Sequence, residues 1–378
     1  MTLTDYLWFC QLSSDGEFIG TREKPPRKPT LEYVSSLIET AGEMGFSSLL
    51  TATNYHSELE NYTAATAALA RTRGAGLLIA VRPGMFHPAM YAKMVSTLET
   101  LFPGRVRINI VTGSSTAENA MYGDFEDHAL RYQRTREFMA ILRQLWDGPA
   151  PQSYRSDLYR FENAVLEPKP KGRIPLYFGG ASEAAQRIAA ELADVYLLWG
   201  EKREMILERL EKMRALEREY GRTLSSGQAL RYGLRCHVVV RETEGEAVAA
   251  AERLISRVDP KVREAFEKSY QHVDSAGQQR QIEMLQGALE RGDFWVEPHL
   301  WAGVGMARSG VGVALVGSPR QIAAKLEDYR SLGIDTFILS GYPHLEECRR
   351  FGELVMPLLT GKEGEDRAIH TDAVAPIA

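Results

Sequence analysis

Several features that would indicate particular classes of protein are missing from this sequence. Its three cysteines, Cys10, Cys236 and Cys348, are spread through 378 residues. They form neither a disulfide framework nor a metal-binding pattern, which is typical of proteins from a reducing compartment. No apolar run approaches the roughly 20 residues of a membrane span. The first residues lack a charged start followed by an apolar core and a cleavage site, so we expect a cytoplasmic protein with no membrane partner.

Motifs of the common catalytic classes are absent as well. There is no Gly-x-Ser-x-Gly turn, which argues against a hydrolase triad. No His, Asp and Glu residues have the spacing of a metal site, so we predict none. Walker and dinucleotide-binding glycine patterns are also missing. The net charge of −5, without a basic stripe, gives no reason to expect nucleic acid as a partner.

The sequence does have a regular alternation of β-rich runs with amphipathic helical patterns. Thr30, Pro88 and Ser318 stand where predicted helices begin. A doubly wound sheet could hold eight strands, but their number and length favour an α/β fold of the (β/α)8 TIM-barrel type. The predicted strands are residues 5–12, 48–53, 76–82, 105–111, 174–178, 195–199, 232–240 and 336–340. Catalytic residues of such barrels lie at the carboxyl ends of the strands.

Two segments interrupt this alternation. Residues 148–173 are polar and rich in proline and glycine, and we predict a small hairpin around residues 158–164. Residues 259–299 are polar, charged and too long for a compact connection, which is typical of a mobile lid or a disordered insertion. We therefore expect one domain over residues 1–360, followed by a flexible tail over residues 361–378.

Arg235 and His237 are the most unusual residues of any predicted strand. In an extended strand they project to one face, while Leu234 and Cys236 project to the other. A buried cation and a buried imidazole destabilise a protein unless an anion meets them. These two residues either form a structural ion pair, lie at a solvated strand end, or bind an anionic ligand.

Other polar groups fall at the ends of predicted strands. Asn109 and Thr112 end the fourth strand, and Trp199 ends the sixth. Tyr342 and His344 follow the eighth strand. Because strand ends of a barrel meet at one face, we expect these side chains to surround one site.

A glycine-rich turn, FGGAS, ends the fifth strand. Gly179 and Gly180 allow a ligand to approach the backbone closely. Ser182 and the free amides near Ala181 could bind a phosphate at the start of the next helix. A simple tight turn is the alternative interpretation.

Two further segments have both a functional and a structural interpretation. His128 and Tyr132 lie four residues apart on one helical face, where they could flank a phosphate or a flat ring. They could equally be half-buried packing residues. Arg308 lies in a segment of small residues and is either a second anion ligand or a solvated loop residue.

These residues together resemble a known family, the bacterial alkanesulfonate monooxygenases of the luciferase-like flavin monooxygenase superfamily. The resemblance covers nearly the whole chain, from Leu7 to about Leu359. It is carried by INIVTG, DHALRY, LYFGGAS, YLLWGE, LRCHVVVRET, LWAGVGMARSGVGVALVG and FILSGYPHLEE. YLLWGE, LWAGVG and SGYPHLEE are specific to the sulfonate branch.

The resemblance implies a TIM barrel with a mobile lid that acts on a small-molecule sulfonate. Reduced FMN (FMNH2) would come from a separate NAD(P)H-dependent flavin reductase and would activate O2 to cleave a carbon–sulfur bond, giving sulfite and an aldehyde. A homodimer or homotetramer is implied. Flavin contacts would be Asn109, Thr112, His128, Tyr132, Gly180, Ala181 and Ser182. The catalytic sulfonate site would be Trp199, Arg235, His237, Arg308, Tyr342 and His344.

Two departures from the family concern the substrate. Where its best-known members carry a histidine and a cysteine, this chain has Ser13 and the pair His56 and Ser57. These residues suggest a more polar substrate, such as the sulfosugar sulfoquinovose. The alternatives are a luciferase-like oxygenase for a sulfone, an aminopolycarboxylate or a hydrocarbon, a deazaflavin-dependent oxidoreductase, a sulfonate-binding protein and a catalytically silent flavin-binding relative.

Overall fold

The computed structural model describes residues 4–113, 115–222, 229–270, 275–308 and 310–361. Its strands are β1 (Asp5–Cys10), β2 (Ser48–Thr51), β3 (Gly76–Val81), β4 (Val106–Ile110), β5 (Gln152–Arg155), β6 (Arg160–Ala164), β7 (Leu176–Gly179), β8 (Val195–Trp199), β9 (Arg231–Val240), β10 (Trp295–Glu297), β11 (Leu300–Trp301), β12 (Ala314–Gly317) and β13 (Thr336–Ser340). Its helices are α1 (Leu31–Glu43), α2 (Asn61–Arg71), α3 (Pro88–Leu101), α4 (Thr116–Met121), α5 (His128–Asp147), α6 (Glu183–Leu192), α7 (Arg203–Glu219), α8 (Glu244–Ile255), α9 (Pro260–Tyr270), α10 (Ala276–Glu290), α11 (Pro319–Ser331), α12 (His344–Leu354) and α13 (Met356–Thr360).

Eight parallel strands close into a barrel, which confirms the predicted TIM-barrel fold. Their order around the ring is β9, β13, β1, β2, β3, β4, β7 and β8, and β8 pairs with β9 to complete it. Each of the eight predicted strands overlaps one of these ring strands. The predicted first strand is too long, because β1 ends at Cys10 rather than at residue 12.

The helices begin where the sequence provides caps. Thr30 accepts a hydrogen bond from the Tyr33 amide at the start of α1. Pro88 occupies the first turn of α3, and Ser318 forms a capping box with Gln321 at the start of α11. The last helical segment is divided in two, since Val355 separates α12 from α13.

Alternating side chains of the ring strands divide the core into an inner and an outer part. The inner part consists of Leu7, Phe9, Leu50, Leu78, Tyr177, Val195 and Ile338, all buried. The opposite face of the same strands packs against the helices. This alternation gives each ring strand one face toward the barrel interior and one face toward a helix.

Strand β9 is longer than its neighbours and pairs with three strands. Residues Arg231 to Arg235 pair with β8, and residues His237 to Val240 pair with β12. Residues Gly233 to His237 pair with β13. β12 was not predicted, because its four residues lie in a glycine-rich segment that resembles a loop. β12 lengthens the wall of the barrel mouth beyond the end of β8.

The predicted insertion, residues 259–299, contains regular structure. It holds α9, α10 and β10, while residues 271–274 lie outside the described part. One face of α10 is buried. Whether this segment moves as a lid stays a prediction.

Two further predictions concern the hairpin and the C-terminal tail. β5 and β6 form an antiparallel hairpin that matches the one predicted around residues 158–164. The predicted tail lies outside the described residues beyond Gly361.

Among the helices of the described ranges, none has the length and apolarity that crossing a bilayer requires.

Candidate active site

A cavity of about 320 Å³ opens at the carboxyl ends of the ring strands, where enzymes with this fold carry out their chemistry. Phe9, Leu50, Ala52, Ala80 and Leu197 form an apolar part of its wall. Ten of the sixteen predicted site residues line the cavity. They are Asn109, Thr112, His128, Tyr132, Gly180, Ala181, Trp199, Arg235, His237 and Arg308.

Arg235 is a buried cation without a carboxylate partner among the described residues. It is 7% exposed, and its Nη2 donates to Ser340 Oγ at 2.8 Å while Nη1 donates to the Cys236 carbonyl at 2.5 Å. Its guanidinium carbon lies 5.1 Å from the centre of the Phe9 ring. Burial, together with repulsion from Arg308, lowers the pKa of Arg235 to about 9.

Arg308 supplies a second cation to the same cavity. Its Nη1 donates to the Tyr342 hydroxyl, and its guanidinium carbon lies 5.8 Å from the centre of that ring. Burial lowers the pKa of Arg308 to about 10. Within the described ranges, Arg308 forms no ion pair, so two guanidinium groups meet at one cavity without a carboxylate paired to either of them.

His237 follows Arg235 on the same face of β9, as the strand pattern predicts. Its Nδ1 lies 2.7 Å from Ser340 Oγ, and its ring stacks on Tyr342 at a centroid distance of 5.6 Å. Its Nε2 is buried and makes no hydrogen bond of normal geometry within the described residues. Burial lowers the pKa of His237 well below its ordinary value, and the cations Arg235 and Arg308 lower it further.

Another part of the cavity is lined by an aromatic pair and a glycine turn. The rings of His128 and Tyr132 lie 4.6 Å apart on the first turns of α5. Gly180 has a φ of +150°, and a Cβ on it would come within 2.5 Å of Ala185 Cβ. Only glycine therefore fits this turn without displacing α6.

Six predicted residues do not line the cavity. Ser182 caps α6 by accepting a hydrogen bond from the Ala185 amide, so its hydroxyl serves the helix. Tyr342 touches the cavity residues Arg308 and His237 from behind. Of the substrate-shaping residues, His56 is exposed, while Ser13 and Ser57 are half-buried.

His344 is completely buried behind Tyr342 and pairs with an aspartate that sequence reasoning missed. Its Nδ1 lies 3.0 Å from Asp15 Oδ1, and its amide donates to Asp15 Oδ2 at 2.9 Å. The Tyr33 hydroxyl donates to the same carboxylate at 2.5 Å. The hydrogen bonds to His344 and Tyr33 lower the pKa of Asp15 even though burial opposes this. No pattern in the sequence joins positions 15 and 344.

A second charged cluster in the cavity wall was also missed. Arg209 donates to both carboxylate oxygens of Glu201 at 3.2 Å, and Arg280 Nε donates to one of them at 3.1 Å. Burial raises the pKa of Glu201, an effect that the two arginines reduce. Because Arg280 belongs to α10, this cluster attaches the insertion to the barrel. The one available signal was Glu201 itself, two residues beyond Trp199.

Glutamine side chains of α10 make further links across the cavity. Gln281 Nε2 donates to the Gly200 carbonyl at 2.9 Å, and its Oε1 accepts from the Gly312 amide at 2.9 Å. Gln278 Oε1 accepts from the Gly310 amide at 2.6 Å. The helix thereby joins the loop after β8 to the segment that carries Arg308.

Comparison with known proteins identifies the family. The model of the family described as luciferase-like monooxygenase matches residues 6–336, most of the chain. The chain belongs to the luciferase-like monooxygenase family. The solved structures compared below have the same fold but low sequence identity to this chain. DmoA from Hyphomicrobium sulfonivorans is 18% identical, with a TM-score of 0.76 over 95% of this chain and 88% of that one.

Two other solved structures show the same fold. EDTA monooxygenase (EmoA) from Chelativorans sp. BNC1 is 18% identical, with a TM-score of 0.75 over 95% of this chain and 94% of that one. Long-chain alkane monooxygenase (LadA) is 17% identical, with a TM-score of 0.75 over 96% and 92%. The names of these neighbours cover an aminopolycarboxylate and an alkane, so the fold alone does not determine a substrate.

Proposed function

We propose that this member of the family is an FMNH2-dependent monooxygenase that cleaves the carbon–sulfur bond of an organosulfonate. The observation that carries this proposal is the pair Arg235, which is buried, and Arg308, which is half-buried: both guanidinium groups line one cavity, and neither has a carboxylate partner among the described residues. Such an arrangement destabilises the free protein, because the two positive charges repel each other and neither is neutralised. A bound anion would neutralise both.

A sulfonate matches this set of donors. It carries a fixed negative charge and three acceptor oxygens, and guanidinium groups present several N–H donors in one plane. Arg235 and Arg308 would bind its oxygens, His237 would donate a further hydrogen bond, and Trp199 would form a wall of the pocket. Tyr342 would hold Arg308 in place through the contact with its hydroxyl.

The other half of the cavity fits reduced FMN. An apolar wall suits a flat ring system, and the polar groups at Asn109 and Thr112 are suited to the ring's edge. His128, Tyr132 and the turn at Gly180 and Ala181 all line the cavity and would hold the phosphate at the start of α6. When bound, reduced FMN supplies the two electrons that activate O2.

The overall reaction balances with the groups named. A sulfonate with a CH2 next to sulfur, O2 and FMNH2 give an aldehyde, sulfite, FMN, water and one proton. One oxygen atom of O2 enters the aldehyde and the other leaves as water. The protein's own contribution is to bind the anion, to position it and to exclude water, which an oxygen-activating site requires. The bonds from α10 to Gly200 and Gly312 support a covering role for this helix.

The polar-substrate hypothesis finds little support in the side chains of the first two loops, since Ser13, His56 and Ser57 are absent from the cavity lining. Alkanesulfonates and sulfoquinovose are therefore both included among the substrates to be tested.

The reaction also needs a source of FMNH2, which we propose to be a separate NAD(P)H-dependent flavin reductase.

The test is a sulfite assay with the purified protein, a flavin reductase, NADH, FMN and air. The panel consists of alkanesulfonates of several lengths, sulfoquinovose, a dialkyl sulfone, EDTA and a long-chain alkane. We expect sulfite from at least one sulfonate, with none under anaerobic conditions and little from an Arg235→Ala variant. Oxygen-dependent conversion of the sulfone, EDTA or the alkane, with no sulfite from any sulfonate, would overturn the proposal.

A further inference from the structure

Ser340 lies between two of the cavity's polar residues without lining the cavity itself. It is the last residue of β13 and stands opposite His237 in the parallel register with β9. Its hydroxyl oxygen lies 2.7 Å from His237 Nδ1 and 2.8 Å from Arg235 Nη2. The residue is completely buried, so its hydrogen bonds must be made within the protein.

The donors and acceptors at Ser340 allow one arrangement that satisfies them all. A guanidinium group can only donate, so Ser340 Oγ accepts from Arg235. The hydroxyl has a single hydrogen, and a buried hydroxyl requires an acceptor. Among the described residues, His237 Nδ1 is the acceptor within reach. Ser340 therefore donates to Nδ1, which must carry no proton.

The charges around His237 keep its ring neutral. Burial disfavours a second proton most strongly, and the guanidinium groups of Arg235 and Arg308 and the ring of His344 act in the same direction. A backbone hydrogen bond with Val311 opposes these effects, but the pKa of His237 still lies well below its ordinary value. Tyr342 stacks on the ring at a centroid distance of 5.6 Å. A neutral imidazole with an unprotonated Nδ1 carries its one proton on Nε2.

The geometry points to Ser340 as a positioning residue that fixes His237 as a hydrogen-bond donor, with N–H on Nε2 available to an oxygen of the bound anion. His237 lines the cavity, and its Nε2 has no partner of normal hydrogen-bond geometry within the described residues. The ring also has a weaker backbone hydrogen bond with Val311, which lines the same cavity and would compete with a bound anion. In this state His237 cannot act as the base that removes a proton from the substrate. This assignment rests on the proposed function for the identity of the anion, which is taken to be the sulfonate.

The protonation state itself is measured without any turnover. The full-length protein is labelled with ¹⁵N-histidine, and the His237 signals are identified by their loss in a His237→Gln variant. We expect Nε2 to give the spectroscopic signature of a protonated ring nitrogen and Nδ1 that of an unprotonated one at neutral pH. A proton on Nδ1, alone or together with Nε2, overturns the inference.

Variants of Ser340 test the positioning role. Ser340→Ala should allow both neutral forms of His237 and raise the KM for the sulfonate about tenfold, with FMN affinity almost unchanged, because one hydrogen bond to an anion is weakened. Ser340→Thr keeps the hydroxyl and should retain the wild-type ring signals. Ser96→Ala is the matched control, since Ser96 is equally buried and its hydroxyl bonds only the Ala92 carbonyl within α3.

The outcomes separate this inference from the proposed function. If Ser340→Ala leaves both the ring signals and the KM unchanged, the positioning role is wrong even though sulfite is produced. If no sulfonate is cleaved but the ring signals are as expected and respond to Ser340→Ala, the positioning role stands and the proposed substrate class is wrong. The spectrum of the wild-type protein decides the protonation state even where a variant fails to fold.

Discussion

Replacing Arg235 with methionine should remove activity and, at the same time, leave the protein at least as stable as before. The pKa of Arg235, lowered to about 9 by burial and by Arg308, means that its charged form is disfavoured by on the order of 5 kcal/mol, at about 1.4 kcal/mol for each factor of ten. Methionine has a similar length and no charge. Replacing a buried, uncompensated ion with an apolar residue is often neutral or stabilises by about 1–4 kcal/mol.

The two bonds that Arg235 makes to Ser340 and to the Cys236 carbonyl reduce this gain. We therefore expect the free energy of unfolding at pH 7 to rise by about 2 kcal/mol. Loss of one charged partner of a bound anion weakens binding by about 2–5 kcal/mol. The expected fall in kcat/KM for the sulfonate is consequently about 30- to 4,000-fold.

Arg105 provides the matched comparison. It donates to the carbonyls of Leu69, Thr72 and Ala75 and to the Thr72 hydroxyl, and it does not line the cavity. Arg105→Met should lower the free energy of unfolding by about 2–4 kcal/mol and leave kcat/KM almost unchanged. Denaturant unfolding of both variants, followed by circular dichroism, gives the comparison. An equal loss of stability in both would refute the reasoning that Arg235 is held at an energetic cost.

Three further predictions concern the cavity. Gly180→Ala should weaken FMN binding about tenfold in a fluorescence titration, because its Cβ would approach Ala185 Cβ to 2.5 Å and displace α6. Gln281→Met should lower kcat/KM about tenfold and increase hydrogen peroxide release, since two hydrogen bonds from α10 are lost. Glu283 is exposed on the same helix, so Glu283→Ala is a control that should change neither quantity. The free energy of unfolding of the wild-type protein, relative to that of His237→Gln, should fall as the pH drops below about 6.5, by up to about 1.4 kcal/mol per pH unit. Below this pH the histidine of the unfolded chain takes up a proton, whereas the folded His237 does not, because its pKa is lowered. A constant difference between pH 7.5 and 5.5 would show that His237 titrates normally in the folded protein.

The barrel could be predicted because its signal is repeated eight times along the chain. Each ring strand is an apolar run followed by an amphipathic helix, and errors of one or two residues at the ends do not alter the count. β12 escaped prediction because four residues between glycines do not differ from a loop. Its strand character comes from pairing with the outer half of β9, a contact between distant parts of the chain.

The site was predictable where a residue contradicted its local pattern. Arg235 and His237 are polar residues on an otherwise apolar strand, and both line the cavity. Contacts made between elements gave no such signal. The bond from Arg280 to Glu201 and the pair of Asp15 with His344 depend on how the chain folds back over itself. Ser182 was assigned to a ligand because its role as a helix cap has the same sequence signature.

The division of β9 between two partners separates closure of the ring from the construction of the cavity mouth. Its first half completes the barrel with β8, so every ring strand is already paired without β12. Its second half carries β12 and, through it, β11 and β10. Changes in length or sequence between α8 and β12 can therefore accumulate without opening the barrel. A chain built in this way can vary the segment around β12 while the strand that carries Arg235 and His237 stays the same.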